Sequence, residues 1–172
     1  MNTRKNTKKL TVSAVLCALT LVLMLSGSIV EVLDLSVGAV ASFAVIFAVL
    51  ELGGAYPMLI WSVGSVLGML LLPNKLPAIY YLLFFGWYPI VKRYLERLPM
   101  VFSWIAKCAA CAASLTLICL ISVYFAGVED IIPMSVWVYV VVLPVFVIYD
   151  IALTRLISAY LHVWRHKLKI KI

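Results

Sequence analysis

Long apolar runs alternate along the chain with short polar breaks. Apolar residues fill 10–30, 36–52, 55–72, 77–91, 103–126 and 135–161 almost without interruption. Between them stand Glu31 and Asp34, then Gly53-Gly54, then Pro73-Asn74-Lys75. A basic connection with Lys92, Arg93, Arg97 and Pro99 follows, and finally an acidic one with Glu129, Asp130 and Pro133. An α-helix needs about 20 apolar residues to cross the hydrocarbon core of a bilayer, so the pattern predicts six spanning helices joined by short connections. Gly53-Gly54 reads as a tight turn. Pro57 suits the first turn of the third helix, where the missing N–H has no intrahelical partner to lose, and Pro73 and Pro77 bracket the loop before the fourth. The fourth run, 77–91, is short for a crossing at about 1.5 Å per residue. With no internal repeat, low-complexity segment or linker, the prediction is one compact all-α membrane domain over residues 1–172.

Composition agrees with the pattern. Of 172 residues, 66% are hydrophobic and 12% charged, and the mean hydropathy is +1.14. Soluble domains carry roughly a quarter charged residues, and a water-soluble fold of this size would have to leave much of this apolar content on its surface. A soluble enzyme and a secreted disulfide scaffold are therefore excluded. The net charge of +7 is informative through its placement. Arg4, Lys5, Lys8 and Lys9 precede the first run, Lys92, Arg93 and Arg97 follow the fourth, and Arg165, Lys167, Lys169 and Lys171 end the chain. Six crossings that start inside put all three groups in the cytoplasm and leave Lys75, Glu31, Asp34, Glu129 and Asp130 outside, as the positive-inside rule requires. Were the fourth run not to cross, the mid-chain and C-terminal cations would lie outside; the charges argue that it crosses. The prediction is thus an integral six-helix bundle with cytoplasmic N and C termini and lipid, not nucleic acid, around it. The basic head, apolar run and Ser26-Gly27-Ser28 resemble a secretory signal. The run is longer than a usual signal core and five more follow, so it is read as a retained first span.

Helices in lipid associate through close backbone approach at small residues. The candidates are Ala14 and Ala18 in the first span, Gly38/Ser42 and Ala44/Ala48 in the second, Gly64/Gly68 in the third, and Ala106, Ala109, Ala110 and Ala113 in the fifth. Each stripe suits internal packing; spans one to three together carry more than a small bundle needs, which leaves room for a partner. Cys17, Cys108, Cys111 and Cys119 all fall inside predicted helices. Neither Cys108/Cys111 nor His162/His166 supplies the four ligands a structural zinc takes, so neither a metal nor a cofactor is expected. Asp150 sits within the sixth span, either paired with Arg155 or bonded to a neighbouring helix while Arg155 reaches the headgroups. Pro144 removes a backbone hydrogen bond and should bend that helix. The outer half collects Glu31, Asp34, Asn74, Lys75, Tyr80, Tyr81, Tyr124, Trp137 and Tyr139. An aromatic-lined cavity with a few polar groups is the usual form of a small-molecule site; an interfacial aromatic belt is the alternative. No HExxH, GxSxG or Walker A motif is present, so no catalytic residues are assigned.

Six short spans, cytoplasmic ends and Ala14-x-x-x-Ala18 within Lys8-Lys9-Leu10-Thr11-Val12-Ser13-Ala14-Val15-Leu16-Cys17-Ala18-Leu19 resemble the substrate-binding S components of energy-coupling-factor (ECF) importers. The resemblance implies a bacterial plasma-membrane protein that captures a vitamin or similar micronutrient from outside, under a cap formed by the first loop and the outer helix ends. Ala14 and Ala18 would dock it on the transmembrane coupling subunit and, through that, on two cytoplasmic ATPases that drive it to topple and release its cargo. None of the contact patterns of thiamine, riboflavin or biotin members is present, so the substrate is not inherited. A second reading is a structural membrane protein similar to the rod-shape MreD proteins, recruiting envelope-synthesis partners through its basic loop and tail. A third is an intramembrane enzyme or redox protein using Asp150 or the CxxC.

Overall fold

Where no water can reach the backbone, each N–H and C=O must be satisfied within its own segment or by a close neighbour, and apolar runs fold as helices. The computed structural model describes residues 3–97, 99–126 and 136–164, without the side chains of 3–5, 31, 122–126, 136–138 and 163–164. Among these residues every regular element is helical. They are α1 (Thr3–Ile29), a 3-10 turn (Glu31–Leu33), α2 (Asp34–Phe47) continued by a π-turn (Ala48–Leu52), and α3 (Tyr56–Leu71). Then come α4 (Leu76–Tyr80) continued by a π-turn (Tyr81–Phe85), α5 (Tyr88–Leu95), α6 (Met100–Ala126), and α7 (Val136–Ala159) with a final π-turn (Tyr160–Trp164). Four of them, α1, α2 with its π-turn, α6 and α7, are long and apolar enough to cross a membrane. The protein is all-α and membrane-embedded. Its contacts group into two compact units, Met1–Ser103 and Trp104–Lys171.

In the first unit, hydrogen bonds between distant residues show which ends lie together. Lys9 Nζ donates to the Leu52 carbonyl at 3.0 Å and Arg93 Nη1 to the Val49 carbonyl at 3.3 Å. At the opposite end the Asn74 N–H donates to Ser28 Oγ at 2.8 Å, and the Ser28 hydroxyl returns a bond to the Asn74 carbonyl at 3.2 Å. Asn74 Nδ2 reaches Asp34 Oδ2 at 3.5 Å. Each of α1, α2, α3 and the α4–α5 segment therefore runs from one end of the unit to the other. Gly53 and Gly54, at φ +61° and +58°, form the turn between α2 and α3, a backbone conformation that glycine enters without the clash of a Cβ.

The α4–α5 segment is longer than the apolar run predicts. It starts one residue earlier, at Leu76, and continues past Val91 to Leu95, a path of about 30 Å at 1.5 Å per residue. The apolar pattern stops at Lys92, yet Lys92 is only 1% exposed and pairs with Glu96 one turn on at 3.1 Å. Its charge is matched inside the helix rather than by water. The segment is broken at Gly86-Trp87. A Cβ on Gly86 would run into the Trp61 indole and lie 2.8 Å from the Tyr81 carbonyl. Two indoles satisfy carbonyls that the break frees: Trp61 Nε1 donates to Leu82 at 3.1 Å and Trp87 Nε1 to Leu83. The Val49 and Leu52 carbonyls, at the π-turn that ends α2, are bonded by Arg93 and Lys9 in the same way. Cations at a helix C-terminus also meet the negative end of its dipole.

The second unit is an antiparallel pair. Lys107 of α6 meets Asp150 of α7, and nine residues further along α6 Thr116 meets Tyr139. Rising along one helix is falling along the other. Pro144 lies inside α7, which runs through it as helix.

Candidate functional site

Small residues are where membrane helices either pack on each other or receive a partner, and their burial tells the two apart. Gly38 lies so close to Phe85 that a Cβ would stand 2.6 Å from its ring, and Ser42, Ala44 and Ala48 are buried on the same helix. A Cβ on Gly64 would meet Thr20 Oγ1 and the Tyr81 ring at 3.4 Å, and one on Gly68 would meet Ala78 and Met24 at 3.2 Å. The α2 and α3 stripes are therefore used up by packing inside the first unit. On α1 the buried face is Ser13, Cys17, Thr20, Met24, Gly27 and Ser28. Ala14 and Ala18 point away from it and are exposed, with Val15, Leu19 and Val22 beside them. On α6, Ala109 and Ala113 are exposed as well, while Ala106 and Ala110 are half-buried.

The polar residues expected at the outer end divide between the units. Asp34 opens α2, where a carboxylate is favoured by the helix dipole. It is buried, and Asn74 joins it to Ser28 of α1. Asn74 Oδ1 also accepts from the Leu76 N–H at 3.0 Å, which holds the start of α4. Lys75 folds back to donate to the Leu72 carbonyl. Tyr80 and Tyr81 point into the first unit, 9% and 0% exposed, which excludes an interfacial belt for both. Tyr81 packs over Gly64 beside Thr20, and its hydroxyl has no well-aligned hydrogen bond. Glu31 lies in the 3-10 turn before α2, and its side chain falls outside the described residues.

In the second unit Tyr139 shares a hydrogen bond with Thr116 at 3.1 Å. Tyr124 and Trp137 belong to α6 and α7, with side chains outside the described residues, as Glu129 and Asp130 are entirely. Asp150 is bonded to a neighbouring helix. Its partner is Lys107, at 2.9 Å, with both side chains almost wholly buried and the ammonium 5.4 Å from the centre of the Trp104 ring. Arg155 is exposed. The sequence reading missed Lys107. The available signal was a lone cation about one turn into an apolar run, with a lone carboxylate in the next predicted span. Cys108 is half-buried and Cys111 buried on one helix. Among the described residues no three His, Cys, Asp or Glu side chains converge on a position that could hold a metal. Comparison with protein-family models, curated proteins and solved structures finds no match to this chain.

Proposed function

We propose that the chain is the substrate-binding subunit of an ECF-type importer in a bacterial plasma membrane, crossing the bilayer six times with both termini in the cytoplasm. It captures a vitamin-like micronutrient outside and delivers it with a coupling subunit and two ATPases. The observation that carries this reading is the contrast among small-residue stripes. Those of α2 and α3 are closed off inside the first unit, whereas Ala14 and Ala18 are left uncovered on α1, where a partner helix can approach the backbone closely. The orientation draws support from the two ends of the first unit. Lys9, Lys92 and Arg93 gather at one and Asp34 at the other, the asymmetry that sets topology. The α4–α5 segment reaches from end to end of the first unit, which supports a crossing by the short fourth run.

Substrate would enter at the end of the first unit marked by Asp34 and Asn74, with Glu31, Lys75, Tyr80 and Tyr81 as candidate contacts there; Tyr124, Trp137 and Tyr139 of the second unit remain candidates from the sequence alone. The test is co-purification of the full-length chain from its native membrane, compared with an Ala14→Trp, Ala18→Trp variant. The unsubstituted chain should bring down one multi-span membrane protein and two ATPases, and the variant should fold but lose all three. Equal recovery with both chains, or recovery of envelope-synthesis proteins alone, overturns the reading.

A further inference from the structure

Pro144 divides α7 into two halves that are held very differently. On its C-terminal side Phe146, Asp150 and Leu153 form one buried stripe, 3%, 2% and 1% exposed, at the i, i+4, i+7 spacing of a single helix face. Asp150 is tied there by the 2.9 Å ion pair to Lys107, and its carbonyl accepts from Thr154 Oγ1 at 2.9 Å. On the N-terminal side none of residues 139–143 is buried, and Val140 and Val141 are more than half exposed. The described side chains of that half have one hydrogen bond across to α6, Tyr139 to Thr116. Between the halves, proline lacks the N–H that would bond to the Val140 carbonyl, so the ladder is weakest at their junction.

We infer that the N-terminal half of α7 is a swinging segment, hinged at Pro144, latched by the Tyr139–Thr116 hydrogen bond, and mounted on a base clamped by Lys107 and Asp150. The base resists motion because parting the pair strands a buried charge. The latch is a neutral bond, and losing one such bond shifts a local opening equilibrium by roughly threefold to tenfold. Tyr139 is then the residue that moves. That the segment swings at the outer side of the membrane rests on the proposed orientation. The hinge does not, because it can be read without a ligand and without regard to sidedness.

The measurement is amide hydrogen exchange of the full chain in detergent micelles, followed in peptides covering 136–143 and 147–159. In the unsubstituted protein the first should exchange faster than the second. Tyr139→Phe and Thr116→Val should each raise exchange in 136–143 roughly threefold to tenfold and leave 147–159 unchanged. The double variant should do no more than either, since both remove the same bond. Pro144→Ala restores the missing donor and should slow the first peptide. Equal exchange of the two halves, increases spread over both, or no response to Pro144→Ala overturns the inference.

Discussion

Lys107, two turns into α6, would be costly in a membrane on its own, by about 3 kcal/mol at mid-helix. The same holds for Asp150 in α7. Together they satisfy one another at 2.9 Å, and the Trp104 ring covers the ammonium. The two single substitutions and the double one should therefore behave non-additively. Lys107→Met leaves a buried carboxylate without its cation and should lower stability by about 3–5 kcal/mol, read as an earlier transition in denaturing-detergent titration. Lys107→Met combined with Asp150→Leu removes both charges and should recover most of that loss. A single variant as stable as the double one would mean that the pair does not compensate buried charge. Asp150 was legible from sequence because one charge in a predicted span stands out. Its partner was not, because pairing over 43 positions depends on how α6 and α7 are aligned, and no local pattern encodes that alignment.

At the scale of elements, the apolar runs located the helices but not their π-turns. The breaks at Gly53-Gly54 and at Pro73-Asn74-Lys75 and the proline opening α3 follow from local chemistry, and the structure has them where the pattern puts them. The π-turn at Tyr81–Phe85 follows from tertiary causes: the indole of Trp61 on the Leu82 carbonyl, and Phe85 seated against Gly38. Small-residue stripes show the same limit. Spacing identified them all alike, yet Ala44 and Ala48 are interior while Ala14 and Ala18 are not. Stability separates the two kinds. Ala44→Leu or Ala48→Leu forces extra volume into a filled interface and should cost about 1–3 kcal/mol. Ala14→Leu or Ala18→Leu should stay within about 0.5 kcal/mol. Thermal unfolding in micelles checks both, and a large loss for the α1 variants would show that their face is covered within the chain itself.

For the whole molecule, orientation in the bilayer decides whether the first unit can serve import at all. Two features bear on the proposed orientation. Along the sequence, cations cluster before the first span, after the fourth and in the tail. In the fold, Lys9 and Arg93 meet at one end of the first unit although they are far apart in the chain, and Ser28, Asp34 and Asn74 meet at the other. A chain that crossed four times, using only its four longest helices, would leave α3 and the α4–α5 segment together on one side of the membrane. Yet both run the length of α2, and a carbonyl freed within the broken segment is bonded by Trp61 of α3, which suits a segment shielded by protein at membrane depth. Six crossings therefore predict that a cysteine introduced at Lys75 reacts with a membrane-impermeant maleimide in intact cells. One at Arg97, and a protease site fused after Ile172, should be reached only once the membrane is opened. With four crossings and the same cytoplasmic start, positions 75 and 97 would lie on the same side and react alike. Different behaviour of these two positions, read against native cysteines replaced by alanine, separates the two topologies. The fused tail then tests the second unit on its own, since crossings by both members of the antiparallel pair α6 and α7 would return the chain to the side from which it set out.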